Sequence, residues 1–263
     1  MSRWDSLSIR ERGTLFKEFL KLGIRDLGKI REYYNTFSGG GDTNSSEVLS
    51  SSDKVQIQHQ VPVLQGMTDY FLTKYPPRNY VERPEYSLPF NKERLAILGG
   101  TSYVESYLSP YTNQGDTFAE AILPHNPKPN SLGLGLFQHS GSRKKKLLRY
   151  IEAHPQNSVL QNNLEFTDKE YHAQPGKGAE WQRRAGFRSG NQAKKDFESI
   201  SSRAALKEGV ELFNTHFISP AEATANLEKR TEAAEYIYDN ILDSLMRKSW
   251  AKQILETFKF NYF

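Results

Sequence analysis

The residues best suited to do chemistry lie between Asn91 and Ser142. There NKERLAILGGTSYVESYLSPYTNQGDTF, and further on NSLGLGLFQHSGS, set a single carboxylate, Glu105, where an apolar helix gives way to polar residues. At 100° per residue Glu105 falls beside Leu98 and Ser102 rather than on a separate polar face, so its carboxyl is expected to be partly desolvated. Loss of water disfavours a carboxylate anion, which suits a group that donates a proton. The plainer alternative is a surface glutamate in a last helical turn. In the loop that follows, Asn113, Gln114 and Asp116 are polar. Asp116 is the nearest second acid; turn capping within NQGDT is its competing role, and Glu120 is a weaker candidate.

Gly133 and Gly135 alternate with Leu132, Leu134 and Leu136 at the period of a strand, and the missing side chains would let a polymeric ligand lie close to the backbone. Phe137, Gln138 and His139 follow. His139 is a substrate-contact candidate set against a solvated loop histidine. GLGLFQ lacks the third glycine of a dinucleotide loop and the Lys-Ser/Thr of a phosphate loop. The run Arg143 to Lys146 could grip an anionic polymer, although the solvated start of a helix is the more ordinary reading. Tyr103, Tyr107, Tyr111 and Trp181 are aromatic enough to stack on sugars; Tyr103 is expected in the core and Trp181 on the surface.

These groups need elements to hold them. Asn91 is a good helix N-cap, and the run from Leu95 to Val104 is apolar or small nearly all round, so this helix should be central and buried. Gly99 and Gly100 within it imply close approach of another element. Helices are expected over Pro62 to Lys74, Lys144 to Glu152, Ser158 to Tyr171 and Ala204 to Phe217, with a last long helix opened by Pro220 and extending toward Phe258. Two short helices precede them in residues 1–37, and SGGGDTNSSEVLSSSDK reads as a flexible tether over 38–54. The main domain then covers 55–246 and a helical extension 247–263. The expected class is α+β, mostly α, with a central buried helix and a small β-hairpin.

Composition narrows the chemistry. Without cysteine, thiol nucleophiles, thiolate metal sites and disulfides are excluded, and neither HExxH nor GxSxG occurs. No metal or cofactor is expected. No apolar run approaches the roughly 20 residues that span a bilayer, so membrane insertion is not expected. MSRWDSLSIRERG carries charges where a signal peptide needs an unbroken apolar segment. A net charge of +4 suits an anionic partner, but no base-reading pattern accompanies the N-terminal helices, so nucleic acid is not the expected one.

The ordered series LAILGGTSYVESYLSP, GLGLFQHSGSRKKKLLRYI, LQNNLEFTDKEY, FNTHFISP and LEKRTEAAEYIY resembles the tail-tip lysozyme family of bacteriophages, over about residues 60 to 240. The resemblance implies a lysozyme-like fold acting on the glycan strands of peptidoglycan, with the catalytic glutamate at Glu105. It also implies a Gly-x-Gly-x-x-Gln hairpin at Gly133, Gly135 and Gln138 lining the sugar cleft. Phe137 stands where the family often has Trp, which keeps an aromatic wall and loses an indole donor. Asn113 is a further substrate-binding candidate, and Asp116 is the candidate partner acid. Should no second carboxylate face Glu105, a lytic transglycosylase route remains open, as does an inactive structural role. The N-terminal RWDSLS and IREYYN resemble openings of virion proteins from phages of gut Bacteroidetes, implying other virion proteins as partners and the virion as location.

Overall fold

The computed structural model describes residue 12 and residues 48–75, 91–114, 116, 118–121, 127, 133–172, 190–218 and 226–262. Apart from residue 12, the N-terminal module lies outside these residues, as do the proline-rich connection, Pro220 and Trp181. Within them the order is α1 (Ser51–His59), α2 (Val61–Lys74), α3 (Lys92–Ser106), the short α4 (Phe118–Ala121), β1 (Gly133–Leu134), β2 (His139–Ser140), α5 (Gly141–Ala153), α6 (Val159–His172) and α7 (Gly190–Glu198). A 3-10 turn (Arg203–Ala205), α8 (Leu206–Leu212), a π-helical segment (Phe213–Ile218), α9 (Leu227–Asn240) and α10 (Leu242–Tyr262) complete it. This is the expected α+β arrangement, mostly α around a two-stranded antiparallel hairpin.

Helix α3 is the axis of the fold. Asn91 caps it in extended backbone, its Oδ1 accepting the Arg94 N–H at 2.9 Å. The helix is buried without interruption from Glu93 to Tyr103. Helix α9 packs along it more extensively than any other element. Glycine makes this possible: a Cβ on Gly100 would stand 2.5 Å from the Ala234 nitrogen and 2.7 Å from the Arg230 carbonyl oxygen. The expected close approach is therefore backbone against backbone. Leu64, Met67 and Phe71 from α2, Leu95, Ile97 and Leu98 from α3, Val210 from α8, Phe213 and Phe217 from the π-helical segment, and Ala233, Ala234 and Ile237 from α9 form one core.

Three local readings change. Helix α1 begins at Ser51, inside the stretch read as a tether, because Ser50 and Asp53 form a reciprocal capping box; Leu49 is buried beside it. The single helix expected over Ala204 to Phe217 is a 3-10 turn, an α-helix and a π-helical segment in succession. The last helix is broken at Ile241, where φ is −125° and ψ is −51°, and α10 turns onto α2. Ile237, Ile241 and Leu245 keep helical spacing across that break, so apolar period cannot reveal it.

Candidate functional site

Glu105 is the penultimate residue of α3. Immediately beyond the helix, Tyr107 and Leu108 both adopt left-handed backbone, with φ of 55° and 58°. Non-glycine residues there cost roughly 1–2 kcal/mol each. The conformation is held because the Leu108 N–H reaches back to the Ser102 carbonyl at 3.2 Å and the Tyr107 N–H to the Tyr103 carbonyl at 2.7 Å, pairing carbonyls that the helix end would otherwise leave open. The hairpin adds its own ties: Ser106 Oγ donates to the Leu136 carbonyl at 2.9 Å, and Thr112 Oγ1 donates to the Ser106 carbonyl at 2.8 Å. The end of α3 is thus fixed against the hairpin.

The Glu105 side chain is 15% exposed, and Arg230 of α9, only 3% exposed, donates from Nη2 to its Oε1 at 2.6 Å. A carboxylate near a helix C-terminus faces the negative end of the helix dipole. Arg230 supplies the compensating charge, in a short charge-assisted hydrogen bond. Apolar flanks alone suggested a desolvated carboxyl; the structure gives it a cationic partner as well.

The hairpin is organised differently from the expected open strand. Gly133 pairs with Ser140 and Leu134 with His139, and Asn113 bridges to Leu134 on the other side. Residues 135–138 form the turn. Gly135 has φ +78°, and a Cβ there would meet Asn163 Oδ1 at 2.1 Å. A Cβ on Gly133 would meet Gln138 Oε1 at 2.5 Å. The space beside both glycines is therefore taken by the chain's own side chains. Gln138, with φ 47°, folds back so that Nε2 donates to the carbonyls of Thr112 and Gly135, each at 3.1 Å. Asn163 Oδ1 accepts the Leu136 N–H at 3.1 Å. The Gly-x-Gly-x-x-Gln spacing locks the turn onto the 112–114 segment.

Phe137 is 1% exposed, its ring packed edge-on against Phe213 and His139, so it acts as a core wedge beneath the hairpin. Asn113 is wholly buried. Asp116, 7% exposed, accepts the Asn113 N–H at 2.6 Å through Oδ2 and returns its own N–H to the Asn113 carbonyl at 3.0 Å, the turn-capping role weighed for it above. Glu120 is exposed.

His139 is neither a solvated nor an exposed contact residue. Its ring is buried against Phe166, and burial first, with the Arg143 charge second, pushes its pKa well below the usual histidine range. Glu170 Oε2 lies 3.6 Å from Nδ1, yet that carboxylate is already engaged by Arg143, whose Nη2 donates to it at 2.7 Å. Arg143 also donates to the Phe217 carbonyl at 3.1 Å. The basic run is thus divided: Arg143 is buried in this network, while Lys145 and Lys146 are exposed. Tyr103 is in the core as expected, its hydroxyl donating to Asp53 at 2.5 Å.

Arg230 is the residue that sequence reasoning missed. The available signal was LEKRTEAAEYIY, where Arg230 precedes the small pair Ala233 and Ala234 by one turn. Alanines there mark a face able to meet a glycine-bearing helix. Among the described residues, no group of three or more His, Cys, Asp or Glu is arranged to hold a metal ion.

The family model described as phage tail lysozyme matches residues 88–241, from just before α3 through α9. No curated protein and no solved structure matches the chain.

Proposed function

The chain belongs to the phage tail lysozyme family, and from that premise we propose that it cleaves the glycan strands of peptidoglycan with Glu105 as general acid. At the family level it is a virion-associated peptidoglycan hydrolase of the lysozyme kind. The observation that carries the finer reading is the placement of Glu105: one carboxylate at the end of the buried helix, tied by its neighbour Ser106 to the hairpin and held by Arg230 from the facing helix. Cleavage through an oxocarbenium-like transition state needs a proton on the departing glycosidic oxygen, and a carboxyl held in one orientation delivers it without reorganising at that moment. During phage entry this reaction would open the wall locally, in a particle assembled with other virion proteins.

Glu105→Gln keeps an acceptor for Arg230 and removes the transferable proton. Loss of a positioned general acid is expected to lower the release of soluble glycan from purified peptidoglycan by about 10² to 10⁴. Undiminished release would remove Glu105 from the reaction.

One observation favours a second reading. Asp116, the nearest acid along the chain, spends a carboxylate oxygen and its backbone on capping the Asn113 turn. A mechanism with a single carboxylate, acting first as acid and then as base while the sugar's own hydroxyl attacks, needs no contribution from Asp116. Mass spectrometry of the released glycan distinguishes the two, because anhydro ends lack the water that hydrolysis adds.

A further inference from the structure

We propose that Arg230 is the positioning residue of the reaction and that it determines which oxygen of Glu105 carries the transferred proton. This rests on Glu105 being the general acid. A guanidinium has donors and no acceptor, so the oxygen it touches must accept in either protonation state of the carboxyl. That oxygen is Oε1, 2.6 Å from Arg230 Nη2. The acid proton therefore resides on Oε2. Among the described residues Oε2 has no hydrogen-bond partner, and it is not sealed in the interior: the side chain retains 15% exposure while Arg230 retains 3%. Arg230 holds one oxygen, and the other has no protein partner among the described residues.

The pair is anchored where α3 and α9 meet backbone to backbone. The backbone oxygen of Arg230 itself stands where a Gly100 Cβ would be crowded at 2.7 Å, so the guanidinium projects from a backbone pressed against α3 about one helical turn before Glu105. In the reaction, the proton leaves Oε2 for the glycosidic oxygen, the bond from the anomeric carbon to that oxygen breaks, and its electron pair goes to the leaving sugar as an alcohol. The carboxylate that remains keeps its bond to Arg230. In the second step it takes the proton from whichever hydroxyl, of water or of the sugar, attacks the cationic carbon. The same arginine therefore serves both halves without moving.

The test uses the full chain on purified peptidoglycan. Arg230→Met is expected to lower kcat by about 10² with KM changed no more than about threefold, the loss associated with a misplaced reacting group. Low-millimolar guanidinium chloride should restore part of that activity, and urea at the same concentration should not. Arg230→Lys is expected to lower kcat by roughly tenfold, since a point charge does not fix one oxygen as a planar fork does. Arg230 is buried, so thermal unfolding accompanies each variant; if Arg230→Met does not fold, the Arg230→Lys result decides. A folded Arg230→Met or Arg230→Lys with the parent kcat overturns the proposal, as does a loss confined to KM without rescue by guanidinium. If Glu105→Gln is inactive in those cases, the general acid stands and only the role of Arg230 falls. Full activity of Glu105→Gln would instead remove the premise.

Discussion

At the scale of single residues, pH acts through ionisable groups buried in the interior. His139 is the clearest case. Its folded pKa lies well below the 6.5 of a free histidine because burial, reinforced by Arg143, opposes the charged ring. Below about pH 6.5 the unfolded chain therefore binds a proton that the folded chain refuses. Stability contributed by neutral His139 is complete above that pH and declines as pH falls, by about 1.4 kcal/mol per pH unit down to the folded pKa. Denaturant unfolding at a series of pH values is expected to show this slope, and His139→Met should reduce it. An unchanged slope in the variant would mean that other groups carry the acid sensitivity. Asp53 acts at lower pH. Burial opposes its ionisation, but hydrogen bonds from Ser50 and Tyr103 outweigh it and hold the carboxyl below its usual value; that contribution is lost only as pH falls through 3.8 and below.

At the scale of elements, the contact of α3 with α9 decides whether Glu105 meets its arginine. The two glycines of α3 predict different outcomes. A Cβ on Gly100 meets backbone atoms of α9 at 2.5 and 2.7 Å, which cannot rotate away. Gly100→Ala should force α9 outward and destabilise by about 1–3 kcal/mol, as overpacking in a filled core does. Activity should fall further than stability accounts for, because Arg230 moves with its helix. On Gly99 the nearest atoms are side-chain ends of Leu64 at 3.0 Å and Ile237 at 3.1 Å, which can yield by a small rotation. Gly99→Ala is therefore expected to be the milder change, and denaturation midpoints with glycan-release rates for both variants check the order. The buried helix, its Asn91 cap and its glycines were legible from sequence because each is a local property of composition and spacing. The break at Ile241 and the π-helical segment were not, since both preserve the apolar pattern of a continuous helix.

At the scale of the molecule, the unit that folds is larger than the segment the family shares. The match begins at residue 88, yet Ile57 of α1 and Leu64, Met67 and Phe71 of α2 are among the most buried residues of the common core. At about 1.5–3 kcal/mol for each buried side chain, these four contribute roughly 6–12 kcal/mol, comparable with the whole stability of a typical domain, about 5–15 kcal/mol. A chain beginning at residue 88 is expected to lose its cooperative thermal transition by circular dichroism; a sharp transition near that of the full chain would show that α1 and α2 are dispensable. Sequence by itself determined the mostly helical class with its hairpin, the buried axis, the position of Glu105 at its end and the family. All of these follow from short-range order: capping, apolar period, glycine placement and the succession of motifs. Only the tertiary structure decided that Gln138 and the hairpin glycines lock one another, that Asp116 caps a turn, that His139 and Arg143 are interior, and that Arg230 holds Glu105 from 125 residues away. Each of these depends on which groups face one another across packed elements, a relation that residue spacing along one element does not contain.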